Sequence, residues 1–235
     1  MKPGKCLFLI VVAMLMVLSI AVAVPCHSYA EDQNSSEEVS KVLIAKAVSK
    51  GSRDLVISWN RVDKADGYDV DIFRCRDGAL QKVASRTFKG NKTFKWTKKK
   101  LKKQTSYKVI VCAWMMNGGV KTPLKTDPFP RPRLHVYTSG GSKKYTNPKS
   151  ITLSDNRVSL NENESYWIKA KVNKLRKGKK LIDHEAKIRY FSTDTSIAKV
   201  NTAGKIEAVS KGSCKIYVYA VNGVKKTINV TVNSL

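Results

Sequence analysis

The stretch from Thr195 to Ala220, TSIAKVNTAGKIEAVSKGSCKIYVYA, constrains the chain more than any other. Its apolar residues are Ile197 and Val200, then Ile206 and Ala208, then Cys214, Ile216 and Val218, and they keep to alternate positions within the later runs. A period of two marks strands with one buried face. Asn201–Gly204 and Ser210–Gly212 interrupt the runs, so the spacing predicts three short strands joined by tight turns. Gly204 and Gly212 stand where such turns need a residue that tolerates positive φ.

Similar alternation fills the rest of the chain. Val42, Ile44 and Ala47 open a strand, and Leu55, Ile57 and Trp59 form the next. Tyr68, Val70 and Ile72 follow, then shorter runs around Val83 and around Phe94 and Trp96, and finally Tyr107, Val109, Val111 and Ala113. Turn residues recur at about ten-residue intervals, the rhythm of a β-sandwich. A second set runs through Ile151, Leu153, Val158, Leu160, Tyr166, Ile168, Ala170 and Val172 to Ile188 and Tyr190, and closes on Ile228, Val230 and Val232. The reading is all-β: two Ig-like β-sandwich domains in tandem after an N-terminal signal helix.

Two resemblances sharpen that reading. Thr193, Asp194, Ser196, Ile197, Ala198, Val200, Asn201, Gly204, Ile206, Ala208 and Gly212 fit the signature of the bacterial Ig-like domain, group 2, which residues 149–233 resemble. Residues 41–122 resemble a fibronectin type III domain through Leu55-Val56-Ile57-Ser58-Trp59, Ala65-Asp66-Gly67-Tyr68-Asp69-Val70, and Leu101 six residues before Tyr107. That last spacing is a tyrosine corner, in which the Tyr107 hydroxyl bonds back to backbone near Leu101. No Arg-Gly-Asp loop is present, so integrin binding is not implied. Both module types imply an exported surface protein of Gram-positive type.

The domain plan is then a signal peptide over 1–30, an acidic tether over 31–38, a fibronectin type III-like sandwich over 39–126, a Pro/Gly linker over 127–148, and the Ig-like sandwich over 149–235. Lys2 and Lys5, the apolar run Cys6–Val24 and the small residues of Ser28-Tyr29-Ala30 read as a signal cut after Ala30. The run, about nineteen residues, is long enough to serve instead as an uncleaved anchor. Pro25 before Cys26 argues against a lipid-modified cysteine. The linker combines a stiff DPFPRPR segment (127–133) with a TSGGS segment (138–142) expected to be flexible.

Lys and Arg total 44 against 18 acidic residues, a net charge of +26. Residues 39–130 and 131–235 each hold 21 basic and 7 acidic residues, so the excess is spread over both modules. A polyanionic neighbour follows from such a balance. The local concentrations are Lys98, Lys99, Lys100, Lys102 and Lys103 in the first module, and Arg176, Lys177, Lys179 and Lys180 in the second. Neither run interleaves aromatics for base stacking, which excludes sequence-selective nucleic-acid reading.

Other chemistry is thin. Cys75, Cys112 and Cys214 are odd in number and form no CxxC pair. Cys214 shares the inward parity of Ile216, and strand counting from Tyr68 opposite Ala113 places Cys75 near Ser106, too far from Cys112 for a disulfide. Asp183-His184-Glu185 are consecutive and point different ways, so they read as a solvated loop and not a metal site. His135 is flanked by Leu134 and Val136 in the connector, and the sequence pattern does not name a partner for it. Asp63, Asp66, Asp69 and Asp71 lack EF-hand spacing; Asp69 and Asp71 are expected to pair across strands with Lys108. Thr138–Lys144 lacks the phosphate-loop spacing and reads as linker. With no GxSxG, HExxH or Cys-His pair, no catalytic residue, metal or cofactor is expected.

The expected function is therefore a non-catalytic, secreted, cell-surface-associated binding or spacer protein, held electrostatically to anionic cell-wall polymer or polysaccharide. The alternative is a protein-interaction module or membrane-anchored subunit that uses an outward apolar face of Phe73, Ile110 and Trp114.

Overall fold

The computed structural model of the chain describes residues 41–76, 79–127, 132–182 and 186–235. The expected signal segment, the acidic tether and His184 with its two neighbours lie outside the described residues. Every regular element among the described residues is a strand.

The first sandwich uses β1 (Lys41–Val42), β2 (Ala45–Lys50), β3 (Asp54–Trp59), β4 (Gly67–Arg76), β5 (Ala79–Lys89), β6 (Lys95–Lys98), β7 (Ser106–Asn117), β8 (Val120–Pro123), β9 (Thr126–Asp127) and β10 (Arg133–Tyr137). One sheet runs β2-β3-β6, and the facing sheet runs β10-β7-β4-β5 with β8 added on β7. Period-two patterning places Leu55, Ile57, Tyr68, Val70, Ile72, Val109 and Val111 between the sheets with no exposed surface. Burial of each such side chain contributes roughly 1.5–3 kcal/mol, which holds the two layers together. Tyr68 pairs with Ala113, the register that parity predicts. Arg74 reaches Tyr107 in that register, while Cys112 sits opposite Asp69, so Cys75 and Cys112 are far apart along the pair.

Two details of the first sandwich differ from the expected pattern. In the opening strand Leu43, Ala45 and Ala47 face the core, not Val42 and Ile44. The Asn60 amide holds that segment by donating to Val42 O at 2.9 Å and accepting from the Ile44 N–H. More consequentially, residues 133–137, within the stretch read as linker, are strand β10, paired along β7 from Arg133 opposite Ile110 to Tyr137 opposite Ser106. Leu134 and Val136 complete the first core.

The second sandwich uses β11 (Tyr145–Thr146), β12 (Pro148–Leu153), β13 (Arg157–Asn161), β14 (Ser165–Trp167), β15 (Ala170–Lys174), β16 (Lys180–Leu181), β17 (Ile188–Ser192), β18 (Ala198–Val200), β19 (Lys205–Ala208), β20 (Gly212–Ala220) and β21 (Lys225–Asn233). A four-stranded sheet β13-β21-β20-β17 faces the β14-β19-β18 and β12-β15 sheets across Ile206, Ile216, Val218, Ile228 and Val230. The three strands expected within Thr195–Ala220 are β18, β19 and β20. Gly204 has φ 87° and lies so close to Tyr190 that an added Cβ would sit 2.8 Å from the ring. Cys214 faces this core, where burial pushes its thiol above the ordinary value. The run from Tyr166 to Val172 does not continue as one strand, because β14 pairs with β19 and β15 with β12, so the chain changes sheets at Ile168.

The turn joining β20 to β21 is inserted into the first sandwich. Ala47 N–H donates to Asn222 O at 2.9 Å, and His135 N–H donates to Val221 O at 2.7 Å. Asn222 is fully buried and its amide donates to Pro148 O at 3.1 Å. Gly223, at φ 83°, passes so near β2 that a Cβ there would lie 2.0 Å from Ala45 O. Only glycine permits that approach.

Candidate functional site

The lysine run of the first sandwich is held by its backbone while its charges face water. Lys98 ends β6, Lys99 and Lys100 are exposed, and Leu101 turns inward to 5% exposure. Lys100 N–H donates to Asp54 Oδ1 at 3.3 Å and Leu101 N–H to Arg53 O at 2.8 Å. Lys102 N–H then donates to the Tyr107 hydroxyl at 2.9 Å. This is the tyrosine corner that the Leu101 to Tyr107 spacing implies. Burial pushes the Tyr107 hydroxyl above the ordinary tyrosine value, while the bond to Lys102 opposes that shift. Lys100 and Gln104 hold φ of 61° and 49°, a left-handed geometry that costs non-glycine residues about 1 kcal/mol or more.

The TSGGS stretch, expected to be flexible, is instead packed. Thr138 is fully buried, and Ser139 and Ser142 are nearly so. Thr138 Oγ1 donates to Lys102 O at 2.8 Å and accepts from Thr105 N–H at 3.0 Å. A Cβ at Gly140 would lie 2.5 Å from Gly51 O, so glycine's small size is what lets this backbone settle on the β2–β3 turn. Asn147, also buried, accepts from Tyr137 N–H at 2.8 Å and donates to Tyr137 O at 2.7 Å, which closes the crossing into the second sandwich.

The same connector carries the first lysine run to the second. After Ser142 come Lys143 and Lys144, both exposed. Lys180 N–H donates to Lys144 O at 2.9 Å, Lys179 Nζ donates to Lys143 O at 2.7 Å, and β11 runs parallel to β16. Arg176 and Lys177 are exposed in the loop that leads there, and Leu175 N–H donates to Asn147 O at 2.9 Å. Lys98–Lys103, Lys143–Lys144 and Arg176–Lys180 therefore form one bonded belt across the joint. Among the described residues the ion pairs are Lys82–Asp71, Lys121–Asp69 and Lys205–Glu207, and none involves the belt. Lys98 and Lys179 are half-buried and the other belt cations exposed, and among the described residues none of them has a carboxylate partner. Lys143 and Lys144 are the members that the sequence runs omit.

The outward apolar face does not form. Phe73 and Ile110 are half-buried, and Trp114 is only 5% exposed. Trp114 lies opposite Gly67, whose missing side chain makes room for the indole, and Lys121 Nζ covers the ring at 4.6 Å from its centroid. Lys82 likewise covers Phe73. The acidic cluster pairs across strands as expected but with other partners: Asp69 with Lys121 at 2.6 Å, and Asp71 with Lys82 at 3.1 Å. Lys108 stands opposite Phe73, and the two carboxylates take Lys82 and Lys121 instead. His135 is buried in the joint. Among the described residues no three His, Cys, Asp or Glu side chains gather as a metal site.

No match is found among curated proteins. Among solved structures, the FN5 domain of Drosophila Lar is 18% identical, covering 44% of this chain and all of that one, with a TM-score of 0.31. Domains 4 and 5 of the S-layer protein SbsC are 12% identical over 81% of this chain and 96% of theirs, with a TM-score of 0.32. The C-terminal fragment of intimin, solved in complex with the intimin-binding domain of its translocated receptor, is 16% identical over 80% of this chain and 63% of its own, with a TM-score of 0.29. Likenesses at these values say nothing about ligand. Residues 148–232 match the family of bacterial Ig-like domains, group 2, and the three signature strands, Gly204 against Tyr190 and the inward Cys214 all fall inside that span. The chain therefore carries a bacterial Ig-like domain, group 2, as its second sandwich.

Proposed function

We propose that the chain is an exported, non-catalytic surface protein, a two-sandwich binding or spacer unit held by charge to anionic cell-wall polymer or polysaccharide. The observation that carries this reading is the belt: two lysine runs more than seventy residues apart in sequence are tied into one surface through Lys143 and Lys144. The inserted turn at Asn222 and Gly223 supports the spacer part of the reading, since it joins the sandwiches by backbone bonds and not by a loose tether. Polyanion binding of this type displaces counterions and weakens steeply with salt. Retention of the protein on isolated cell walls should be strong at about 50 mM salt and largely lost at about 500 mM. Retention that does not change over that range refutes the reading. A protein-interaction role through that face would rest on Phe73 and Ile110, which are half-buried, since Trp114 is buried.

A further inference from the structure

The outer face of the β13-β21-β20-β17 sheet is a second surface, separate from the belt, and its composition is selective. The strand register sets out its rows. Nearest the joint, Tyr219 lies opposite Lys225, and next Phe191 lies opposite Tyr217. Lys215 and Asn229 follow, continued by Arg157 on β13, and beyond them Ser213 and Thr231. Phe191 and Tyr217 are half-buried, with centroids 6.4 Å apart and planes within 23° of parallel. Lys225 Nζ rests 3.9 Å from the Tyr217 centroid. Thr193 Oγ1 accepts from Lys215 N–H at 2.9 Å, which fixes the short edge of the sheet. Over the rows of Tyr217, Lys215 and Ser213 runs a shallow open groove of about 480 Å³, floored by Lys215, Tyr217, Asn229 and Thr231, with Phe191 and Lys225 beside it and outside its lining.

The rows hold aromatic rings, cations, hydroxyls and an amide, and no carboxylate. Arg157, Lys215 and Lys225 have no ion-pair partner among the described residues. Burial, then the neighbouring charge of Lys215, holds the Lys225 ammonium below the ordinary lysine value, as expected where an anion is wanting. Phosphate polymers would use the cations and the hydroxyl and amide donors, but would have no use for the aromatic rings. The hydroxyl and amide groups can both donate and accept, which suits sugar hydroxyls, and an aromatic shelf suits the apolar face of a sugar ring.

We propose that this surface binds a segment of acidic polysaccharide, with Lys225 leaving the Tyr217 ring that it covers in the free chain to meet a carboxylate, Phe191 and the uncovered Tyr217 against a sugar ring, Lys215 toward a second carboxylate, and Asn229 and Thr231 toward its hydroxyls. The inference rests on the exported, envelope-associated setting proposed above, and it names a ligand class that the belt alone cannot distinguish.

Calorimetric titration of the full chain with polygalacturonate oligomers, a neutral dextran oligomer of equal length, and polyphosphate tests it. Polygalacturonate should bind saturably, and Tyr217→Ala and Lys215→Glu should each weaken it about ten-fold. Lys215 is exposed, so its variant reports on the groove even if Tyr217→Ala disturbs folding. The neutral oligomer should bind at least about ten-fold more weakly, and polyphosphate binding should be insensitive to Tyr217→Ala. Unchanged polygalacturonate binding in both variants, or an equal Tyr217→Ala loss for polyphosphate, overturns the proposal. A variant with Lys98, Lys99, Lys100, Lys102 and Lys103 all changed to Gln separates the two readings. If it alone abolishes polygalacturonate binding, the groove fails and the belt stands. If it loses wall retention yet keeps saturable polygalacturonate binding, both stand.

Discussion

Replacing Tyr107 by Phe removes one oxygen from the corner that holds the lysine run. The hydroxyl accepts the Lys102 N–H at 2.9 Å and donates to Lys102 O at a longer 3.4 Å, and the residue is 3% exposed, so Phe fills the same space and loses only these bonds, of which the first is the stronger. A net hydrogen bond contributes about 0.5–1.5 kcal/mol, and leaving the half-buried N–H without its acceptor adds to that, for a total of about 1–2 kcal/mol. In a chain of this size each kcal/mol moves Tm by roughly 2–4 °C, so thermal denaturation followed by circular dichroism should shift down by roughly 2–8 °C. Exchange of the Lys102 amide, read by NMR, should quicken by about 5–30-fold, the factor that corresponds to the same energy. A Tm within about 1 °C of the parent, together with unchanged exchange at Lys102, would show that the corner does not hold the run.

Two further perturbations follow from the same packing. Gly223→Ala places a Cβ against Ala45 O and Leu134 at a positive φ, so the inserted turn should withdraw and calorimetry should show two separate unfolding transitions; a single transition at the parent temperature would mean that the joint adapts. Burial raises the hydroxyls of Tyr68, Tyr107, Tyr190 and Tyr219 above 10.0, so the unfolded chain releases these protons first. The buried Cys214 thiol is likewise raised above 9.0, so stability should begin to fall as pH climbs through 9.0 and fall further through and beyond 10.0, with the lowered Lys225 opposing only in part. Urea midpoints that stay level from pH 9 to about 11 would contradict that assignment.

Much of the architecture was legible because period-two patterning is a local property. Ile206, Ala208, Cys214 and Ile216 face inward as their spacing requires, and the Tyr68–Ala113 register follows from parity alone. What escaped depends on contacts between distant segments. Residues 133–137 look like a connector because prolines precede them, yet the open edge of β7 recruits them as β10. TSGGS has the composition of a flexible spacer, but the β2–β3 turn offers a surface that only small residues can approach, and Gly140 takes it. Trp114 has outward parity, and the glycine opposite it, with Lys121 above, turns an exposed position into a buried one. Both lysine runs were visible, but the link through Lys143 and Lys144 relies on the parallel pairing of β11 with β16, which no local pattern announces.

The central claim is that the belt binds as a unit by charge. Its most direct test is the slope of log affinity against log salt for wall polymer, measured for the parent chain and for a variant with Lys143, Lys144, Lys179 and Lys180 changed to Gln. The belt predicts a steep negative slope that becomes shallower by about 0.7–0.9 for each lysine that had met the polymer. An identical slope in parent and variant would contradict it.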